Sequence, residues 1–246
     1  MPHSSEVERV PWEALAEMIR TDHEQGQHIA VVGPTGSGKT VLCVELARVI
    51  GDRRADDGRP SRVVALGTKP RDRSLSALRS AGWPVIKKWP PSYGQEHVIV
   101  WPKYGDPDTA KERQARVFRA LLRQIFSEGG QTIYIDEVAT FTEPPPEGLG
   151  LRALVSEYFT VARGLDISLI AGTQRPRNVP RAMWSEPVYV FIFTPDDMDD
   201  LKRVAELSGR KAQVLEIVPQ LEEHEFLLVC RRGRRKGMVA VSRVEK

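Results

Sequence analysis

A glycine-rich stretch, Gly33-Pro34-Thr35-Gly36-Ser37-Gly38-Lys39-Thr40, follows directly on the apolar run Ile29-Ala30-Val31-Val32 and opens a segment of helical periodicity over 39–50. This satisfies the G-x-x-x-x-G-K-[ST] pattern in the strand, loop and helix setting that it requires. Glycines let backbone N–H groups turn inward around an anion without Cβ obstruction, and the helix that follows presents its positive end to the same anion. The chemistry this suits is triphosphate binding. Gly33, Pro34, Thr35, Gly36, Ser37, Gly38, Lys39, Thr40 and Val41 are the expected cradle for ATP. Lys39 is expected to reach the β- and γ-phosphates, and the Thr40 hydroxyl to coordinate Mg²⁺.

A second apolar run, Thr132-Ile133-Tyr134-Ile135, ends in the adjacent acids Asp136 and Glu137. Neighbouring side chains diverge at a strand end, so the two can divide the work. Asp136 is expected to hold the Mg²⁺ shell and Glu137 to orient or deprotonate the attacking water. Glu137 favours hydrolysis over a small-molecule kinase, because transfer to a hydroxyl gains nothing from activated water. A third run, Ser168-Leu169-Ile170-Ala171-Gly172-Thr173, leads into Gln174-Arg175-Pro176, where Gln174 could contact the γ-phosphate or the lytic water. Arg163 stands at a helix end just before that run, where it suits the helix dipole.

These residues need a scaffold that brings several strand ends together. The sequence supplies one by alternating short β-branched runs with helical stretches, the pattern of an α/β domain with a mainly parallel sheet between helices. Strands are expected at 29–32, 63–66, 98–101, 133–135, 167–171, 188–193 and 226–229, with a last one near 238–241. Helices are expected at 39–50, 74–80, 109–126, 151–162 and 197–207. In the third helix Val117, Leu121 and Ile125 share a face. Residues 1–26 form an N-terminal extension whose Trp12, Leu15 and Ile19 spacing marks an amphipathic helix, docked on the core or on a neighbouring subunit; 27–246 form the main domain, ending in a basic hairpin at about 226–246. The segments Trp89-Pro90-Pro91 and Pro144-Pro145-Pro146 should be surface loops.

With 41% hydrophobic and 28% charged residues among 246, the chain is a globular domain and neither disordered nor fibrous. The net charge is only +3, yet Arg231-Arg232-Gly233-Arg234-Arg235-Lys236 concentrates positive charge that suits a polyanion or a solvated hairpin. Two cysteines, Cys43 and Cys230, provide neither a disulfide framework nor a metal cluster. No apolar run approaches the ~20 residues of a membrane span, and Glu6, Glu8, Glu13 and Glu17 interrupt the start where a signal peptide would be apolar. A soluble protein in a reducing, cytoplasmic setting is expected.

Taken together, residues 33–40, 133–137 and the run Ala162-Arg163-Gly164-Leu165-Asp166-Ile167-Ser168-Leu169-Ile170-Ala171-Gly172-Thr173-Gln174-Arg175-Pro176 resemble the FtsK–HerA superfamily of DNA-pumping ATPases. The resemblance spans roughly 27–209, and the last run looks like the A-R-x-x-G-I-H-L-x-x-A-T-Q-R-P of FtsK-type motors with one residue fewer before the strand. It implies a RecA-like, ASCE-type P-loop core. It also implies that Arg163 acts in trans as a finger on a neighbouring subunit's γ-phosphate, that Gln174 senses nucleotide, and that hydrolysis needs a ring, a hexamer by analogy.

The membrane helices and C-terminal winged helix of cell-division members and the N-terminal barrel of HerA are not recognisable in these residues, so something close to a bare motor domain, like those of virus genome-packaging ATPases, is the expectation. Double-stranded DNA and a capsid, portal or membrane-vertex protein are the partners this implies, with a location in host cytoplasm or on a virion. An assembly or secretion ATPase of the same superfamily is the alternative. Sequence-independent movement calls for phosphate contacts. The candidate grips are Lys69, Arg71 and Arg73; Lys87, Lys88 and Trp89; and the basic run at 231–236, with Trp89 and Tyr93 as possible stacking groups.

Overall fold

Strands covered on both faces need apolar residues at every position rather than every second one. The structure, a computed structural model, describes residues 7–53, 61–90 and 96–244 and has such strands at the centre of its sheet. In chain order the elements are α1 (Trp12–Asp22), β1 (Ile29–Val32), α2 (Lys39–Gly51), β2 (Arg62–Leu66), α3 (Arg73–Ser80), β3 (Val85–Ile86), β4 (His97–Val100), α4 (Pro107–Glu128) and β5 (Gln131–Ile135). They continue with α5 (Val138–Thr142), α6 (Arg152–Thr160), β6 (Ser168–Thr173), α7 (Ala182–Ser185), β7 (Tyr189–Ile192), α8 (Met198–Ser208), α9 (Lys211–Ile217), β8 (Glu225–Cys230) and β9 (Val239–Arg243). The sheet order is β3-β4-β2-β5-β6-β1-β7-β8-β9. The first seven strands run parallel, and β8 and β9 close the edge as an antiparallel hairpin.

Alternate residues of each central strand feed two separate apolar layers. In β1, Ile29 and Val31 pack with α1, α2 and α3, whereas Ala30 and Val32 pack with α4, α5, α6 and α8. In β5, Ile133 and Ile135 face the second layer and Tyr134 the first. Each large apolar side chain so buried contributes about 1.5–3 kcal/mol, which is what holds the strand ends in register.

Helix boundaries follow their caps. Asp106 caps α4 by accepting from the Asp108 N–H at 3.0 Å, Pro107 starts it, and Gly129 at φ 71° ends it. Asp197 caps α8 by accepting from the Asp200 N–H at 2.7 Å, and Gly209 at φ 77° stops it. The helix expected over 151–162 stops at Thr160. Beyond it the chain tightens into a 3₁₀ turn, Ala162–Leu165, and Asp166 takes φ 55° to turn into β6. The elements β3, α5, α7 and α9, two to seven residues long, are additions to the elements expected from the sequence.

The amphipathic α1 docks on its own chain's core, with Leu15 and Ile19 fully buried and Trp12 edge-on to Phe226 at 6.3 Å. The basic run after β8 folds back toward it: Arg235 Nε lies 2.7 Å from Asp22 Oδ2, Arg234 4.0 Å from Asp22 Oδ1, and Arg232 3.3 Å from Glu186. Arg231 donates to the Trp184 carbonyl. This charge is therefore largely engaged in holding the hairpin against the domain. Trp89 is half-buried and donates to Gln124 Oε1 at 2.7 Å; Pro91 and Tyr93 lie outside the described residues. Pro144, Pro145 and Pro146 form an exposed loop, as expected. Cys43 and Cys230 are buried and unpaired. No helix among the described residues is long and apolar enough to cross a membrane.

Candidate nucleotide site

The glycine-rich loop turns from the end of β1 into α2 as the sequence demands. Gly38 takes φ 100° as the residue preceding α2, and Gly36 takes φ 85°, conformations that cost a residue with Cβ. At Gly33 the constraint is space: a Cβ would lie 2.7 Å from both Phe193 Cβ and Ser37 Oγ. Ser37 Oγ donates to the Pro34 carbonyl at 2.9 Å, the His224 Nδ1 lies 3.2 Å from the Ser37 carbonyl, and Thr35 Oγ1 donates to Gln174 Oε1 at 3.0 Å. The first turn of α2, which carries Lys39, Thr40 and Val41, presents N–H groups without intrahelical acceptors to whatever the loop encloses.

Beside the loop stands the end of β5, with β6 between it and β1. Asp136 and Tyr134 share a face, and the Tyr134 hydroxyl donates to Asp136 Oδ1 at 3.2 Å. Lys39, 4% exposed, places Nζ 3.2 Å from the Asp136 carbonyl and 3.6 Å from Oδ1. Lys69 places Nζ 2.6 Å from Oδ2. Burial works to raise the Asp136 pKa, but Lys39 and Lys69 outweigh it and hold the carboxyl below its ordinary value. For Lys69 burial works to lower the pKa, and Asp136, joined by Asp72 and Glu137, outweighs it and raises the ammonium above its ordinary value.

Thr40, in the first turn of α2, and Asp136, at the end of β5, offer hard oxygen donors on the two sides of Lys39's reach. This is the small protein share that Mg²⁺ takes when phosphates and water complete its octahedron. The residues present thus fit the ion and the triphosphate.

Glu137 points away from Asp136 and caps α5. Its Oε1 accepts from Thr173 Oγ1 at 2.9 Å and the Ala139 N–H at 3.3 Å, and its Oε2 accepts from the Gln174 N–H at 2.9 Å. Burial raises its pKa, an effect that Lys39 and these donors only partly offset. A carboxylate of raised basicity, fixed by three donors at a strand end, is suited to take a proton from water.

The structure therefore brings Lys39, Thr40, Asp136, Glu137 and Gln174 to one sheet edge. It does not bring Arg163 there. Arg163 precedes β6, whose six residues span about 20 Å, and it lies beside Gly26 at the entry of β1, where a Cβ on Gly26 would meet the Arg163 carbonyl at 2.8 Å. Two contributors escaped the sequence reading. In the sequence Thr173 reads only as the end of a strand and Lys69 as a candidate DNA grip, whereas the structure turns Lys69 onto Asp136. Each sits at the carboxyl end of a strand adjacent to β5, a relation fixed by strand order.

No protein family and no curated protein matches the sequence. Solved structures do match. B204, the DNA-packaging ATPase from Sulfolobus turreted icosahedral virus, superposes with a TM-score of 0.62 at 16% identity over 91% of this chain and 100% of that one. The genome-packaging NTPase B204 from Sulfolobus turreted icosahedral virus 2, in complex with AMPPCP, gives 0.55 at 14% identity over 87% and 96%. The cytoplasmic domain of the Type VII secretion ATPase EccC from Thermomonospora curvata gives 0.56 at 14% identity over 91% of this chain and 26% of that one. The fold is thus shared with these packaging and secretion ATPases: among the described residues, a mostly parallel nine-stranded sheet flanked by helices.

Proposed function

We propose that this chain hydrolyses ATP to move double-stranded DNA, without regard to its sequence, as a subunit of a ring, a hexamer by analogy, and that genome packaging is its use. The observation that carries the reading is the meeting of Lys39, Asp136 and Glu137 at one strand-end edge in a fold shared with two packaging NTPases.

On this reading residues 33–41 hold the polyphosphate, Lys39 neutralises the β- and γ-phosphates, and Thr40 and Asp136 hold Mg²⁺, which supplies charge neutralisation on the transferred phosphoryl. Glu137 takes the proton of the attacking water. Gln174, joined to the loop through Thr35 and to Glu137 through its own N–H, reports the state of the phosphates to both. Arg163 serves a neighbour's nucleotide. Arg71, Arg73, Lys87 and Lys88 are exposed and are the cations left for the DNA backbone, since Lys69 and most of the 231–236 run are engaged elsewhere. A capsid or portal protein would dock the ring, in host cytoplasm or on a virion.

The test is phosphate release with and without double-stranded DNA at low salt, with Lys39→Ala as the blank. Stimulation several-fold is expected, and turnover indifferent to DNA counts against a motor. The match to EccC favours a second reading, an assembly or secretion ATPase whose nucleotide controls a protein partner. A tight nucleotide-dependent protein complex with negligible turnover would select it.

A further inference from the structure

The Asp136 carboxylate is already satisfied by protein. Oδ1 accepts from Tyr134 and faces Lys39 at 3.6 Å, and Oδ2 carries Lys69 at 2.6 Å, its shortest contact. The two cations differ in freedom. Lys39 is sealed beneath the loop at 4% exposure, whereas Lys69 is 44% exposed and has a second carboxylate within reach, Asp72 Oδ2 at 3.7 Å. The Lys69 backbone is fixed while its side chain is shared. Trp101 Nε1 holds the Lys69 carbonyl at 2.7 Å, and Gln114 Nε2 holds the neighbouring Thr68 carbonyl at 2.7 Å. Asp72 is itself anchored, accepting from the Leu75 N–H at 3.1 Å in the first turn of α3, next to the exposed Arg71 and Arg73.

From this arrangement we infer that Lys69 is a positioning residue that competes with a divalent cation for Asp136 and passes to Asp72 when the cation binds, so that metal occupancy is felt at the 69–73 turn. The inference rests on the nucleotide-binding reading above and adds to it a link between the Asp136 carboxylate and the exposed Arg71 and Arg73. A lysine that merely supported the fold, or one that helped hold phosphate, would leave divalent affinity unchanged or weaken when removed; a competitor strengthens it.

The experiment titrates Mn²⁺ into the full chain with a non-hydrolysed ATP analogue and reads free Mn²⁺ by electron paramagnetic resonance, with analogue binding measured separately. Lys69→Met should bind Mn²⁺ roughly twofold to fivefold more tightly, the effect of removing a partly exposed ion pair, while Lys69→Arg stays near the parent. Asp72→Asn keeps the helix cap but denies Lys69 its second partner, so it should weaken Mn²⁺ binding. That effect should shrink by more than half in the Lys69→Met background, where there is no lysine to redirect. Unchanged or weaker Mn²⁺ binding by Lys69→Met, or an Asp72→Asn effect of full size in the double variant, overturns the inference. Failure of the parent to bind the analogue at all sinks the reading beneath it.

Discussion

Replacing Glu137 by Gln preserves the shape of the side chain and removes its basicity, and the structure allows the consequences to be separated. A carboxylate offers about four lone-pair positions. Three are filled, by the Ala139 N–H and Thr173 hydroxyl on Oε1 and by the Gln174 N–H on Oε2, which leaves a position on Oε2 for water. In the variant, an amide whose oxygen keeps Ala139 and Thr173 must turn its NH₂ toward the Gln174 N–H. Two donors then face each other, at about 1–3 kcal/mol for the unmade bond. Loss of a buried charge whose pKa is already raised works in the opposite direction, so the fold should change little in stability. Catalysis should change greatly, because removing a general base costs about 10²–10⁴-fold, or roughly 3–5 kcal/mol on the barrier. Phosphate release at saturating ATP and Mg²⁺, measured beside binding of a fluorescent analogue, should show kcat down at least about a hundredfold with Kd nearly unaltered. The acid limb of the parent's kcat should lie above the 4.5 of an ordinary glutamate. Turnover by Glu137→Gln equal to the parent's refutes the assignment; loss of binding and turnover together would place Glu137 in the binding site rather than the chemistry.

Gly172→Ala sets a Cβ 2.3 Å from the Asp136 carbonyl, so it should cost about 1–3 kcal/mol and disturb nucleotide binding; an unchanged denaturation midpoint would contradict the packing at β5 and β6. Burial lowers His23 to about 3 and His28 to about 4 from 6.5. A histidine with a depressed folded pKa contributes stability that is whole above 6.5 and drains as pH falls toward the folded value, about 2 kcal/mol for each residue at pH 5. Urea midpoints at pH 7 and pH 5 check this, and a midpoint that does not fall on acidification removes it. Arg163→Ala should lose turnover on the order of a thousandfold and regain part of it when mixed with Lys39→Ala, because one subunit supplies the finger and the other the intact pocket; absence of rescue makes Arg163 structural.

Much of the site is legible because its parts are contiguous. The loop from Gly33 to Thr40 and the pair Asp136 and Glu137 each follow a run of apolar residues, so their place at a strand end can be read without knowing the fold. The long strands and helices were legible for the same reason, and so was the apolar face of α1 from the spacing of Trp12, Leu15 and Ile19, but not that this face covers the chain's own core. What could not be read depends on strand order. That Thr173 meets Glu137 requires β6 beside β5, and that Lys69 meets Asp136 requires β2 on the other side. Neither adjacency leaves a mark in the local sequence. A lysine three residues past a strand and an arginine five residues before one look alike as charges, yet the first falls into the site and the second about 20 Å from it.

That separation bears on the quaternary question. Arg163 and the phosphate loop are tied to opposite ends of two strands, β6 and β1, paired in fixed register from Ile29 with Ile170 to Val32 with Thr173. Both strands are buried on both faces, so no hinge within the domain can bring the guanidinium round to Lys39 without breaking the sheet. Two possibilities remain for Arg163. Either its work is local, with its carbonyl packed on Gly26, or it is done on another molecule. The first asks only for the backbone and is indifferent to the guanidinium; the second requires it, and requires assembly. On the proposed reading an isolated subunit would bind nucleotide with its loop complete and yet hydrolyse it poorly, for want of a cation that its own fold holds at the wrong end of the sheet.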